Sequence, residues 1–300
     1  ADILEKYHPK FAILENVRNL VSHDKGKTWL RIKAELERIG YVVDKHMISP
    51  HYLGIPQLRE RIFIVCIYDP NHKIDKINIK WPEKKNLNTY NFEGKSIDEY
   101  LDKNVDAKYY IDNEKIKIIN IWEELRVSIK CNGGNFISPI WSYYLNDKPI
   151  PKSYPEWKKK LIKKNKNFYF ENREIIDAWK EKYDSLKFTA RSNRKFEWNA
   201  NTSIDSVWDG IIQFRPSGIR VKNNKCFPTF VAINQTPIIG KYKRYITPLE
   251  ISRLYGFNNL ILNKNDDQQS YKQLGNTVCV DIVAYVINEF INNYNDGGEV

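Results

Sequence analysis

The short apolar run Phe11-Ala12-Ile13-Leu14 ends in the polar pair Glu15-Asn16. In an open parallel α/β sheet, ligands gather beyond the carboxyl ends of the strands, so such a pair is the first place to look for chemistry. A carboxyl group partly withdrawn from water can carry a proton near neutral pH. The same residue could equally cap a following helix. A second cluster, Gln57-Leu58-Arg59-Glu60-Arg61, leads into the apolar run Ile62-Phe63-Ile64-Val65-Cys66-Ile67. Arginines at i and i+2 entering a strand point to one face, which suits a shared anionic or carbonyl-rich ligand, or else a surface salt bridge with Glu60. The third cluster, Leu274-Gly275-Asn276-Thr277-Val278, precedes a final apolar segment. Gly275 permits a tight turn there, and Asn276 and Thr277 can cap the next helix or hold a ligand at its amino end.

The elements that must position these groups are legible at both ends of the chain. Phe11–Leu14 reads as a strand buried on both faces, followed by a helix from about Gly26 to Ile39 with Trp29, Ile32, Leu36 and Ile39 on one side. Strands over Tyr41–Ile48 and Ile62–Ile67 complete a fragment of an α/β sheet. Near the other end, Thr247-Pro248-Leu249-Glu250 spells a capping box, with Ile246 and Ile251 as its hydrophobic staple and Gly256 as the helix stop. A last helix over about Val280–Ile291 turns Ile282, Val283, Val286, Ile287 and Phe290 to one side. Between Asp69 and Lys243 the periodicity fades, with short helices expected near Pro155–Lys164 and Arg173–Leu186. The expected division is therefore residues 1–80 and 244–300 in one α/β unit and 81–243 in a smaller, irregular domain.

A chain of 300 residues, 42% hydrophobic and 28% charged, can bury a core and exceeds the size at which cores split. Gly 13 and Pro 13 are too few for a disordered chain. No apolar run long enough to cross a bilayer is evident, and a membrane partner is not expected. Lys plus Arg 48 against Asp plus Glu 37 leaves +11, which fits a polyanion such as nucleic acid but also the lysine-rich usage of AT-rich genomes. Residues 151–170 hold seven lysines against one acid, interleaved with Trp157, Phe168, Tyr169 and Phe170; this is either a solvated helix face or a surface that follows phosphates. Cys66, Cys131, Cys226 and Cys279 form no CxxC pair, and neither GxGxxG nor GxxxxGK occurs, which argues against a zinc site, a dinucleotide fingerprint and a P-loop. A reduced, cytoplasmic setting is the default expectation.

Taken together, "FAILENVRNLVSHDKGKTW", "HYLGIPQLRERIFIVCI", "RYITPLEISRLYGF" and "QLGNTVCVDIVAYV" resemble, in order, the Glu-Asn-Val, Gln-x-Arg-x-Arg, Arg-x-x-Thr-Pro-x-Glu and Gly-Asn-Ser-Val motifs of the DNA cytosine-5 methyltransferases. The likeness covers about the first 70 and the last 60 residues and implies the carboxy-terminal half of a Rossmann-like methyltransferase sheet plus a target-recognition domain. On that resemblance Glu15 would hold and protonate N3 of a flipped cytosine, and Arg61, with Arg59 beside it, would contact O2. Asn16 and Val17 would line the base pocket, with Gln57 also on the DNA side. Asn276 and Thr277 would border S-adenosyl-L-methionine. Thr229-Phe230 would lie near the flipped nucleotide, and Arg215, Arg220 and Lys222 would contact double-stranded DNA. The helix from Pro248 would join the two domains.

The family's Phe-x-Gly-x-Gly loop and Pro-Cys nucleophile are absent: the four cysteines follow Val65, Lys130, Lys225 and Val278. The resemblance therefore implies an incomplete cofactor pocket, no activity from this chain alone, and an amino-terminal complementing subunit or a truncation. Two other functions fit the same motifs, a non-catalytic DNA-binding or regulatory subunit and a tRNA cytosine-5 methyltransferase. A restriction-modification system in a prokaryotic cytoplasm, close to the nucleoid, is the expected setting.

Overall fold

The computed structural model describes residues 1–86, 92, 96–200, 202–232, 235–263 and 266–294. Helix α1 (Asp2–Tyr7) leads into strand β1 (Phe11–Val17), helix α2 (Lys27–Arg38) and strands β2 (Tyr41–Ile48) and β3 (Arg61–Tyr68). The apolar stripe expected on α2 is present, with Trp29 and Leu36 buried and Ile39 packed just beyond its end. At Gly40 the chain takes φ +89°, and a Cβ would stand 3.0 Å from the Tyr68 ring, so a side chain there would meet both strain and crowding.

The strand order is β1-β3-β2, and β3 runs antiparallel to both neighbours. Two expectations for β1 are corrected here. It does not stop at Leu14 but carries Glu15-Asn16 within its seven residues, and it is a half-exposed edge strand rather than one buried on both faces. One face of this sheet, through Leu14, Ile62, Ile64, Cys66 and Tyr41, packs on α1 and α2. The opposite face, through Phe11, Ile13, Ile48, Phe63, Val65 and Ile67, packs on the carboxy-terminal helices.

The middle region is more regular than its sequence suggests. Helix α3 (Asn113–Cys131), strand β4 (Ile140–Trp141), helices α4 (Glu156–Glu171) and α5 (Arg173–Tyr183), and strands β5 (Lys195–Asn199), β6 (Ile211–Arg215), β7 (Gly218–Lys222), β8 (Ile238–Ile239) and β9 (Arg244–Tyr245) follow. The strands join in the order β4-β5-β7-β6-β8-β9, parallel only between β5 and β7. Their apolar face (Ile140, Phe196, Ile212, Ile219, Val221, Ile238) is covered by Trp122, Leu125, Ile129, Phe168, Ile176 and Trp179 of the three helices. Trp122 stacks on Phe196 at 5.2 Å and donates its indole N–H to the Asn193 carbonyl, so its one polar atom is satisfied. The change from one core to the other falls between Leu101 and Ile111 rather than at residue 81. His46 stacks on Trp81, and Ile97 belongs to the same buried cluster as Val65 and Phe290 in the first core.

The chain returns through helices α6 (Pro248–Leu254), α7 (Asp267–Asn276) and α8 (Val280–Tyr294). The capping box at Thr247 and Glu250 forms as expected. Burial of Ile282, Val286 and Phe290 docks α8 on the sheet, at roughly 1.5–3 kcal/mol each, while Ile287 stays 43% exposed, contrary to its expected inward placement. Asp267–Tyr294 taken as one span is long and apolar enough to cross a membrane, but it is broken between α7 and α8 and its α8 stripe is committed to the sheet.

Candidate active site

Glu15 and Arg61 enter the site through the register of β1 on β3. Val17 pairs with Arg61 and Glu15 with Phe63, so the odd-numbered side chains of both strands share one face. Arg61 Nε lies 3.0 Å from Glu15 Oε1. The approach is an ion pair off the hydrogen-bonding line, since Oε1 is buried without an aligned donor. Burial, and then the neighbouring Arg59 guanidinium, push Arg61 below the usual arginine range, and Glu15 offsets part of that.

Arg59, Arg61, Glu15, Pro50, Phe63, Val278, Cys279 and Ile282 line one cavity, so the acid, the two guanidiniums and the chain ahead of α8 do converge. Its free volume is about 10 Å³. That is room for about one water and for neither a pyrimidine nor a nucleoside. Between these side chains the space is thus too narrow for an extruded base, while Glu15 and Arg61 keep part of their surface exposed.

Arg59 is tied to the backbone of its own chain. At 3% exposure it donates to the carbonyls of Phe230 (3.0 Å), Gly275 (3.1 Å) and Thr277 (2.8 Å). Its backbone N–H donates to Ser49 Oγ at 3.0 Å, and Ser49 is bonded in turn to His51. This guanidinium is held by two segments of its own chain, at Phe230 and at the Gly275–Thr277 end of α7, while its Nε has no aligned partner. The same stretch is stitched to the end of the middle region: Leu58 N–H donates to the Phe227 carbonyl, and Thr229 Oγ1 donates to the Leu58 carbonyl at 2.7 Å.

Other expected contacts are relocated by burial and facing. Asn16 points away from Glu15 on the far face of the sheet and accepts the N–H of Val17, which is 52% exposed and outside the cavity. Gln57 is fully buried and turned toward the Tyr255 hydroxyl, so it does not face DNA. Phe230 is core, packed on Phe227 and Tyr255. Gly275 is not in a turn but in the last turn of α7, where a Cβ would stand 2.5 Å from the Ala232 nitrogen. Its role is to let two backbones touch, which holds Asn276 and Thr277 against the end of the middle region. Asn276 is exposed, and Thr277 gives its carbonyl to Arg59.

The three cations expected on DNA do share a surface. Arg215, Arg220 and Lys222 alternate with the half-buried Phe214 and the buried Ile219 and Val221 and so stand on the sheet face opposite the helices. Glu197 of β5 sits among them, 2.7 Å from Arg215 and 2.9 Å from Arg220. One carboxylate against three cations leaves this face positive, and burial, with Arg220 nearby, pushes Lys222 below the ordinary lysine range.

None of three thiols is a ready nucleophile. Burial pushes Cys66 and Cys226 up to about 12 and Cys279 up to about 11, which leaves them protonated at neutral pH. Cys131 is exposed at the end of α3, in the other lobe.

Sequence reasoning missed the polar members under this cluster, Ser49, His51 and Tyr255. Burial pushes Tyr255 up to about 12, tempered by Arg59, Arg61 and Gln57, and keeps His51 below its ordinary value. The only local hint was their position in the Gly- and Pro-punctuated loop before β3 and in "RLYGF".

The α/β sheet thus carries an acid–guanidinium pair and is joined by backbone hydrogen bonds to a lobe whose own sheet bears Arg215, Arg220 and Lys222. The profile of the C-5 cytosine-specific DNA methylases matches residues 1–292, and the chain belongs to that family. It is 27% identical to the type II methyltransferase M.AluI of Cellulosimicrobium cellulans, over 97% of this chain and 73% of that protein. To the type II methyltransferase M.BanI of Aneurinibacillus aneurinilyticus it is 26% identical, over 98% and 74%. Among solved structures, it is similar to a DNA modification methyltransferase encoded within an E. coli prophage (17% identity, TM-score 0.49, 98% of this chain and 72% of that one). It is also similar to the Entamoeba histolytica methyltransferase EhMeth (16%, TM-score 0.46, 95% and 63%), so this chain spans under two thirds of that structure. Family membership implies S-adenosylmethionine as methyl donor and DNA as substrate.

Proposed function

We propose that this chain supplies the base-holding and sequence-reading part of an enzyme that methylates C5 of a cytosine flipped from a specific duplex sequence. The observation that carries this reading is the Glu15–Arg61 pair, 3.0 Å apart on one sheet face, with a carboxylate oxygen that lacks an aligned donor. Addition of a nucleophile at C6 drives electron density toward N3 and O2. Glu15 would hold and protonate N3, Arg61 would meet O2, and Arg59 would keep both in register with the recognition lobe. When bound, S-adenosylmethionine supplies the electrophilic methyl group. The type II relatives favour a restriction-modification role.

Two further features support a complementing amino-terminal segment. The cavity has room for about one water, and the outer edge of β1 is unpaired among the described strands. A strand added to that edge would complete the sheet and bring the thiolate that Cys66, Cys226 and Cys279 cannot provide. The chain alone is then catalytically silent, as a DNA-binding regulatory subunit would also be. The test is methylation of duplex DNA and of tRNA, with the chain alone and with a co-expressed amino-terminal half carrying the Pro-Cys motif. Methylation of the duplex only in the reconstituted pair is expected, with Glu15→Gln reducing it about 100-fold or more. Methylation by the chain alone would refute its silence, methylation of tRNA would redirect the substrate, and no methylation by a stable pair would favour the regulatory subunit.

A further inference from the structure

We propose that the outward face of α4 is a sequence-independent seat for the phosphate backbone of duplex DNA, on the side of the middle lobe opposite Arg215, Arg220 and Lys222. This rests on the DNA reading above and adds a surface to it. Residues 151–170 carry seven lysines against the single acid Glu156. Helix α4 turns Ile162, Asn165, Phe168 and Tyr169 inward, which leaves Trp157, Lys160, Lys163, Lys164 and Phe170 exposed.

What separates this face from an ordinary solvated one is the lack of countercharge. Among the described residues only Lys159 of the seven lies within ion-pair distance of a carboxylate, 2.8 Å from Glu156. Lys164 and Lys166 donate to the Ser138 and Lys148 carbonyls, which anchors them without neutralising them. On α2 and α5 the pattern is the opposite: Arg38 meets Glu5 and Glu35, Lys180 meets Asp177 and Lys182 meets Glu124. A shallow groove of about 440 Å³ lies along α4, lined by Ile150, Lys152, Glu156, Lys159, Lys160 and Lys163.

The dimensions suit a nucleic-acid strand. Sixteen residues at about 1.5 Å each span about 24 Å, which matches roughly seven phosphates at about 3.4 Å per strand. Trp157 and Phe170, 63% and 52% exposed, stand near the two ends of the helix rather than forming an apolar stripe. A membrane-surface helix needs such a stripe opposite its lysines, and here that side is committed to the lobe's core.

The test is duplex affinity of the full chain against salt concentration, for the wild type and for a triple variant, Lys152→Gln with Lys160→Gln and Lys163→Gln. Each phosphate contact contributes about 0.9 to the slope of log K against log salt, so the variant's slope is expected to be shallower by about 2–3. The loss should be equal on unrelated duplexes, leaving discrimination between sequences unchanged. The corresponding Lys→Arg triple variant should retain the wild-type slope, which separates lost charge from lost folding. A wild type that binds duplex with a slope shared by the Gln variant overturns this inference and leaves the DNA reading standing. Failure of the wild type to bind duplex overturns both. Binding to anionic phospholipid vesicles that the Gln variant loses, with duplex binding untouched, assigns the face to a membrane instead.

Discussion

Arg244 and Arg59 are both withdrawn from solvent, at 2% and 3% exposure, and their surroundings differ sharply. Arg244 forks onto Glu250 at 2.9 and 2.7 Å and reaches the Tyr245 and Asp102 carbonyls. Glu250 also accepts the N–H groups of Asp102 and Thr247, so each of its oxygens has two donors. Around Arg59 no such balance exists. Its Nε, both amide atoms of Gln57, the Tyr255 hydroxyl and Glu15 Oε1 are buried without an aligned partner. Buried polar groups are almost always paired in folded proteins, and each orphan costs about 1–3 kcal/mol. The hinge network is therefore complete within this chain, whereas the site is left open for atoms from a ligand or another segment.

Mutations at the two places should differ in size and even in sign. The largest effect is expected from Arg244→Ala, which strands the Glu250 charge at zero exposure. Urea unfolding should register a loss of about 3–5 kcal/mol. Arg59→Lys keeps the charge but cannot span three carbonyls, and a smaller loss of about 2–3 kcal/mol is expected. Should it match Arg244→Ala, the site would be as self-sufficient as the hinge and the contrast would fail. Gln57→Met removes an orphaned buried amide at similar volume, so stability should rise by up to about 1 kcal/mol, an outcome no hinge substitution should give. The smallest effect concerns alkaline pH. The Cys66, Cys226 and Cys279 thiols are raised above their unfolded value of 9.0, so the stability they contribute is fully present below pH 9 and lost as pH climbs toward about 11–12. Alkylation at pH 8 should accordingly label Cys131 and spare the other three, as read by mass spectrometry.

Local signals carried well wherever an element is long or capped. The α2 stripe, the β2 and β3 bounds and the Thr247–Glu250 box all appear as their spacing implies. The six-stranded sheet was invisible because three of its strands have two residues each, too short to show alternation. The β5–β7 pairing joins Phe196 to Ile219 with no hairpin signal between them. At the site, the acid and the two arginines were legible as residue types; strand parity paired Arg59 with Arg61, and only the family resemblance joined Glu15 to them, on the face that the β1–β3 register gives them. The same parity assigned Arg59 to the ligand, but the chain takes up strand geometry only at Arg61, so the i, i+2 rule did not yet hold at Arg59.

The order of elements, the capping chemistry and the residues able to move a proton or hold a carbonyl follow from sequence alone, because each depends on neighbours within a turn or two. Which polar groups are spent on the fold was decided only in three dimensions. Arg59 meets carbonyls 171 and 218 residues away. Gln57 is sealed off by Phe227 and Tyr255, and Gly275 is fixed by the backbone of Ala232. A hydrogen bond requires donor and acceptor to meet at about 3 Å with the right alignment, and over such separations only packing brings that about.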